Sequence, residues 1–193
     1  MNDLKDKLDR RKVVRLLLEN RKNLLVIGGL GSSSYDIISV EDNAHDFPLW
    51  GAMGSAALMG LGLAMAQPNQ RVLVITGDGE MLMGLGGLGT IAHKAPDNLA
   101  IVVLDNERYG ETGMQKTHTA GRMDLAAVAA GAGIPVAGTI WTESDLRAAI
   151  PIIREQAGPV FYDIKVTTAP SKSIPQPQDG IVLKERFRTS LGL

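Results

Sequence analysis

Apolar residues recur along the chain in two rhythms: short unbroken runs rich in Val, Ile and Leu, and longer stretches in which they return every three or four positions. The runs Asn23 to Ile27, Arg71 to Thr76, Leu99 to Leu104, Pro135 to Ile140 and Pro159 to Val166 have the pattern of strands buried on both faces. Glu41 to Phe47 is polar and mixed, and predicts only a short strand before Pro48. Helical spacing predicts helices over Asp3 to Asn20, from Ser33 to Ser39, and over Ala52 to Ala66, Met81 to His93, Asp124 to Ala132 and Thr142 to Gln156. Asp124 near a helix start suits the helix dipole, and Thr142 or Ser144 is the N-cap of its helix. Strand and helix alternate, which predicts an α/β fold: a doubly wound, mostly parallel sheet with helices on both faces. That domain spans 1–169, and Pro170, Pro175 and Pro177 predict an extended arm over 170–193.

Glycine sharpens this outline. The helix predicted over Met81 to His93 holds four glycines, each costing about 1 kcal/mol against Ala. Close approach of another backbone would repay that cost. Gly84 to Gly89 matches G-x-G-x-x-G, but it sits within a helix, whereas Gly77-Asp78-Gly79 occupies the strand-to-helix turn where a dinucleotide loop would lie. Helix packing is therefore the reading. Thirteen of the 22 glycines fall between Gly28 and Gly89, which places a ligand over the first half of the sheet.

The chemistry centres on Gly77-Asp78-Gly79-Glu80 and, 28 residues beyond Asp78, on Asn106 in Asp105-Asn106; each group closes an apolar run. Parallel neighbouring strands would set Asp78 and Asn106 side by side at the carboxyl edge, where open α/β sheets bind ligands. One carboxylate and one amide oxygen are hard donors, suited to a magnesium ion that keeps water and phosphate oxygens as its other ligands. The flanking glycines let backbone amides come close to a phosphate. Gly31-Ser32-Ser33, at the first strand's end, offers amides and hydroxyls of the same use, with a plain N-cap as the competing reading. Gly, Asp and Asn are also ordinary turn residues, so neither segment decides alone. Thr112, Gln115 and His118 follow Asn106 and are candidates to line a substrate pocket. His45 and His93 have no evident partner, and Arg10-Arg11-Lys12 reads as a solvated helix face.

Gly-Asp-Gly, followed by an Asn just under thirty residues on after an apolar strand, resembles the thiamine diphosphate motif. The runs Gly77 to Ile91 and Leu104 to Gln115 are more specific, and resemble the diphosphate-binding half of sulfopyruvate and phosphonopyruvate decarboxylases. The resemblance covers roughly Asn23 to Pro170. It implies thiamine diphosphate and Mg as cofactors, with metal ligands Asp78, the Asn106 side chain and the backbone carbonyl of Arg108. Cofactor contacts are implied at Gly31, Ser32, Gly51, Met53, Gly77, Asp78, Gly79, Glu80, Asn106 and Tyr109. Leu49 to Gly54 resembles the segment bearing the family's apolar wedge, which puts Met53 under the bent cofactor; the competing reading is a core methionine. Thr112 and Gln115 are the catalytic candidates. The family often has Asn-Asn where this chain has Asp105-Asn106, a mild departure that sulfopyruvate-type enzymes share.

The resemblance also implies what the chain lacks. The family's glutamate that activates the aminopyrimidine resides in a pyrimidine-binding domain, which has no counterpart here. The chain therefore looks like the beta subunit of a split decarboxylase, with a pyrimidine-binding alpha subunit on a separate chain and homo-oligomers open to it when isolated. Carboligation of the acetolactate synthase kind, oxidative transfer, and a non-catalytic nucleotide-binding module are the alternatives. Composition narrows the field further. A net charge of −1 offers no field for nucleic acid or anionic lipid. The absence of cysteine excludes disulfides, thiolate zinc sites and iron–sulfur ligation by thiolates. A charged N-terminus without an apolar signal core makes a cytoplasmic protein the expectation.

Overall fold

The computed structural model describes residues 7–168 and 179–193, in which the predicted alternation becomes one parallel sheet. Its strands are β1 (Leu25–Gly28), β2 (Asp46–Pro48), β3 (Val72–Gly77), β4 (Leu99–Asp105), β7 (Val136–Ile140) and β8 (Val160–Lys165). They lie in the order β2-β1-β3-β4-β8-β7, every neighbouring pair parallel. The small strands β5 (Arg108–Tyr109) and β6 (Gln115–Lys116) form a separate antiparallel hairpin beyond β4.

Side-chain alternation sorts each strand between two cores. Val72 and Val74 face α3 (Ala56–Ala66), α5 (Gly87–Lys94), α6 (Leu125–Gly131) and α8 (Gly180–Ser190). Leu73 and Ile75 face α1 (Arg10–Leu18), α2 (Ser32–Ile38) and α7 (Glu143–Glu155). Both faces are covered, which is why the central strands read as unbroken apolar runs. Asp124 and Thr142 are N-caps, their side chains accepting from the amides of Ala127 and Asp145.

Four expectations are corrected. The helix predicted from Asp3 begins at Arg10: Leu8 bridges Val166 in extended form, Asp9 caps the helix, and residues 1–6 lie outside the described ones. Ala52 to Gly54 is a turn, with φ of 57° at Ala52 and 89° at Gly54, so α3 starts only at Ala56. The glycine-rich helix is two helices, α4 (Asp78–Met83) and α5, broken at Gly84. A Cβ on Gly84 would fall onto the Gly54 carbonyl, so the close backbone approach is there, but it ends one helix instead of joining its halves. Lastly, the Pro-rich stretch 170–178 lies outside the described residues (169–178), whereas Gly180–Ser190 is helical. That helix is held by Phe187, edge-on to Phe47, and by Arg186 on Asp42.

Arg10 and Arg11 are not a solvated face either. Both reach the buried carboxylate of Asp36 on α2, while Lys12 pairs with Glu143. No helix among the described residues is long and apolar enough to cross a membrane.

Candidate functional site

The register of β3 on β4 ends with Gly77 opposite Leu104. Asp78 and Asp105 therefore leave the sheet as neighbours, and Asn106 lies one residue further than the side-by-side placement with Asp78 expected from the sequence. Beside them opens a cleft of about 320 Å³. Its walls are the turn after β1 (Leu30, Ser32, Ser33), Met53, the turn Gly77 to Glu80, Asn106, and the stretch Arg108 to Thr112. One edge of the Tyr109 ring lies against Gly79, where a Cβ would meet it at 2.6 Å, so glycine is what lets the hairpin close down on this turn.

Under the cleft lies a buried charge cluster. Asp78 is 2% exposed, and its Oδ2 is 3.4 Å from the Thr119 hydroxyl. Asp105 is fully buried; its Oδ1 accepts from the Glu107 amide and the Thr119 hydroxyl, both at 2.8 Å, and its Oδ2 pairs with Lys165. Lys165 Nζ also lies 2.9 Å from Asp163 Oδ2 and 5.7 Å from the centre of the Trp141 ring. The approach to Asp163 is off the hydrogen-bonding direction, so both Asp163 oxygens are left without a hydrogen-bond partner among the described residues.

Burial, reinforced by the charge of Asp105, pushes the Asp78 carboxyl up to about 7. Asp163 is pushed up to about 7 by the same two causes, with Lys165 opposing. Burial works against the charge on Lys165, but the neighbouring Asp163 and Asp105 outweigh it and its pKa is raised. Fully ionised, three carboxylates face one ammonium and leave two negative charges, the amount a divalent cation would neutralise.

The donor set fits such an ion. Among the described residues no three His, Cys, Asp or Glu side chains gather into a metal cage. Three carboxylates border the cleft, but Glu80 is taken up by protein donors and Glu111 lies on the hairpin beside Gly31; the donors at the sheet edge are Asp78 and the Asn106 amide oxygen, which accepts from the Arg108 amide at 2.8 Å and keeps a second lone pair. Few protein donors with room for other ligands is how magnesium is usually held beside phosphates.

Glu80 is committed within the protein. Its carboxylate accepts from the Thr76 hydroxyl at 2.7 Å and from the amides of Leu30 at 2.9 Å and Ala56 at 3.3 Å. It ties the ends of β1 and β3 to the start of α3, and so fixes the shape of the cleft. Met53 stands on the cleft wall, 37% exposed, which rules out the core reading. Thr112 lines the cleft and binds Gln115 through its hydroxyl at 2.8 Å, whereas Gln115 sits on the exposed face of the hairpin. Gly31, Gly51 and His118 are not among the lining residues; Gly31, at φ 75°, precedes Ser32 and lies against Glu111, whose carboxylate a Cβ there would meet at 2.8 Å.

Residues 29–164 match the family model described as thiamine pyrophosphate enzyme, C-terminal TPP binding domain. The chain belongs to that family. It is 40% identical over 163 residues to a protein named sulfopyruvate decarboxylase subunit beta from Methanothermobacter thermautotrophicus, a match covering 82% of each chain. It is 38% identical to a phosphonopyruvate decarboxylase from Streptomyces viridochromogenes over 79% of this chain but only 38% of the longer relative. Among solved structures, benzoylformate decarboxylase from Polynucleobacter necessarius superposes with a TM-score of 0.70 at 19% identity, over 88% of this chain and 34% of that one. At that identity the likeness shows the fold.

Several residues of this thiamine pyrophosphate enzyme domain escaped sequence reasoning. Thr117 and Thr119 are both buried at the foot of the hairpin, though nothing in a polar loop distinguishes them. Asp163 and Lys165 did carry a signal: two charges spaced i, i+2 in an apolar strand must share one face and one environment. Arg10 borders the cleft from α1, a helix with no motif.

Proposed function

We propose that this chain is the metal- and diphosphate-binding subunit of a thiamine diphosphate-dependent decarboxylase acting on a small 2-oxo acid of the sulfopyruvate or phosphonopyruvate kind. The observation that carries the reading is the meeting of Asp78 and Asn106 in one cleft, at the edge of a buried cluster of three carboxylates and one ammonium. Asp78, the Asn106 amide oxygen and the Arg108 carbonyl would hold Mg2+. Backbone amides at Gly31, Gly77 and Gly79 with the Ser32 hydroxyl would anchor the diphosphate, and Tyr109 would close over it. When bound, thiamine diphosphate supplies the ylid and the electron sink needed for loss of CO2 from a 2-oxo acid.

The chain's residues then position and exclude. Met53, on the wall beside Gly51, serves as the wedge that holds the cofactor bent. Glu80 keeps the turns around the diphosphate in place. The hairpin brings Thr112 to the substrate side, with Gln115 bonded to it from the outer face, and keeps water from the reacting carbon. The cofactor's pyrimidine end and its activating glutamate belong to an alpha subunit on a separate chain, a reading supported by relatives named as beta subunits. An apolar surface suits that partner: Trp50, Leu58, Met59, Met65 and Met83 are all exposed on or near α3 and α4. An obligate contact of this kind buries more than about 2,000 Å².

Reconstitution tests the reading. The chain is mixed with a pyrimidine-binding alpha subunit, Mg2+ and thiamine diphosphate, and CO2 release from sulfopyruvate and phosphonopyruvate is measured. Release that requires both chains is expected. Carboligation products in place of CO2 and a free aldehyde would move the chain to the acetolactate synthase-like alternative, and no cofactor binding in any combination would overturn the proposal.

A further inference from the structure

The stretch from Asn106 to Gly121 leaves β4 between two anchored ends, and its middle is exposed: Gly110 to Lys116 all lie at the surface. Two of its residues beyond that tip are buried, Thr117 and Thr119. Their hydroxyls lie 2.9 Å apart, and the Thr119 oxygen is 2.8 Å from Asp105 Oδ1 and 3.4 Å from Asp78 Oδ2. The Thr117 amide closes the loop by donating to the Glu107 carbonyl at 3.1 Å.

Proton counting makes this arrangement specific. Each hydroxyl has one proton to donate, and the two nearest carboxylates can only accept when ionised. The hairpin is thus held down by the Thr119 hydroxyl, which gives its proton to Asp105 in a charge-assisted bond and stands within reach of Asp78, with the Thr117 hydroxyl bonded to it from behind. Tyr109 against Gly79 and the ion pair of Glu107 with Lys7 hold the near end of the stretch; at its far end Thr117 and Thr119 are the buried side chains that tie it down.

We propose that Thr117 and Thr119 are positioning residues that latch the hairpin to Asp78 and Asp105, so that filling the metal site fixes the hairpin over it. The inference rests on the cofactor reading above. A ligand on Asp78 fixes that carboxylate in the orientation the latch needs, and coupling is reciprocal: whatever metal binding gives to closure, closure gives back to cofactor affinity. A hydroxyl-free latch would uncouple the two.

Lys116 provides the readout, since it is exposed on the hairpin immediately before Thr117. Trypsin cleavage after Lys116 is followed by mass spectrometry on the full chain, with and without Mg2+ plus thiamine diphosphate, while calorimetry measures cofactor binding. The cofactor is expected to slow this cleavage by about tenfold in the unmodified protein, within the usual range of coupling. Thr119→Val and Thr117→Val should lose most of that protection and bind the cofactor correspondingly more weakly, with cleavage at sites outside the loop unchanged. Thr119→Ser keeps the hydroxyl and should restore protection, which a purely structural role for the threonine methyl would not allow. Equal protection in Thr119→Val and the unmodified protein, or a failure of Thr119→Ser to restore it, would overturn the latch. Failure of the unmodified chain to bind the cofactor, with or without an alpha subunit, would instead refute the cofactor reading and take the latch with it.

Discussion

Asp78→Asn should make the metal-free protein more stable while abolishing its affinity for Mg2+ and thiamine diphosphate. The Asp78 carboxyl rises from its ordinary 3.8 to about 7 in the fold, because burial and the neighbouring Asp105 both oppose its charge. At about 1.4 kcal/mol per pKa unit, ionising it in the folded state costs about 4 kcal/mol relative to the unfolded chain. The folded form holds the extra proton between the two pKa values, so stability falls as pH rises from about 4 to about 7 and stays level above. An amide at this position keeps the acceptor for Thr119 and removes the charge. The expected gain is up to about 4 kcal/mol near pH 8, equivalent to about 8–16 °C in melting temperature for a chain of this size, and nothing below pH 4. Calorimetric melting in EDTA at both pH values measures it, and titration with Mg2+ and thiamine diphosphate measures the lost binding. A variant that melts no higher near pH 8, or one that gains as much at pH 4, would refute the electrostatic account; unchanged cofactor binding would refute the metal assignment.

Lys165→Met leaves Asp105 and Asp163 buried without their cation and should cost about 3–5 kcal/mol, read by denaturant unfolding. Adding Asp105→Asn should recover a large part of this loss, and a strictly additive double variant would break the cluster argument. Met53→Ala should cost well under the roughly 2–5 kcal/mol of a core truncation, because the side chain stands on the cleft wall, yet turnover of the reconstituted enzyme should fall. A loss of stability on the core scale would return Met53 to a packing role. Lastly, the isolated chain should show no 2-oxo acid decarboxylation until an alpha subunit is added; robust turnover by the purified chain alone would end the split-subunit proposal.

The hydrophobic pattern alone determined the layers of this protein. Runs such as Val72 to Ile75 and Leu99 to Leu104 could only be strands covered on both faces, and the alternation with helices left a parallel, doubly wound sheet. The turn Gly77-Asp78-Gly79 and the distant Asn106 were legible for the same reason: a parallel sheet carries residues that follow its strands to one edge. Tertiary structure decided what depends on register and on approach. One residue of register set Asp78 against Asp105 before Asn106, and turned a simple pair of ligands into the outer part of a four-group charge cluster with Lys165 and Asp163. The Gly54 carbonyl pressing on Gly84 broke a helix that local spacing had made continuous. Arg10 and Arg11 looked solvated because their acceptor, Asp36, lies on another helix, about 25 residues away in sequence. Sequence carries the periodicity of a chain, which is a local property; the pairing of buried charges is set by which elements touch, and only the folded protein determines that.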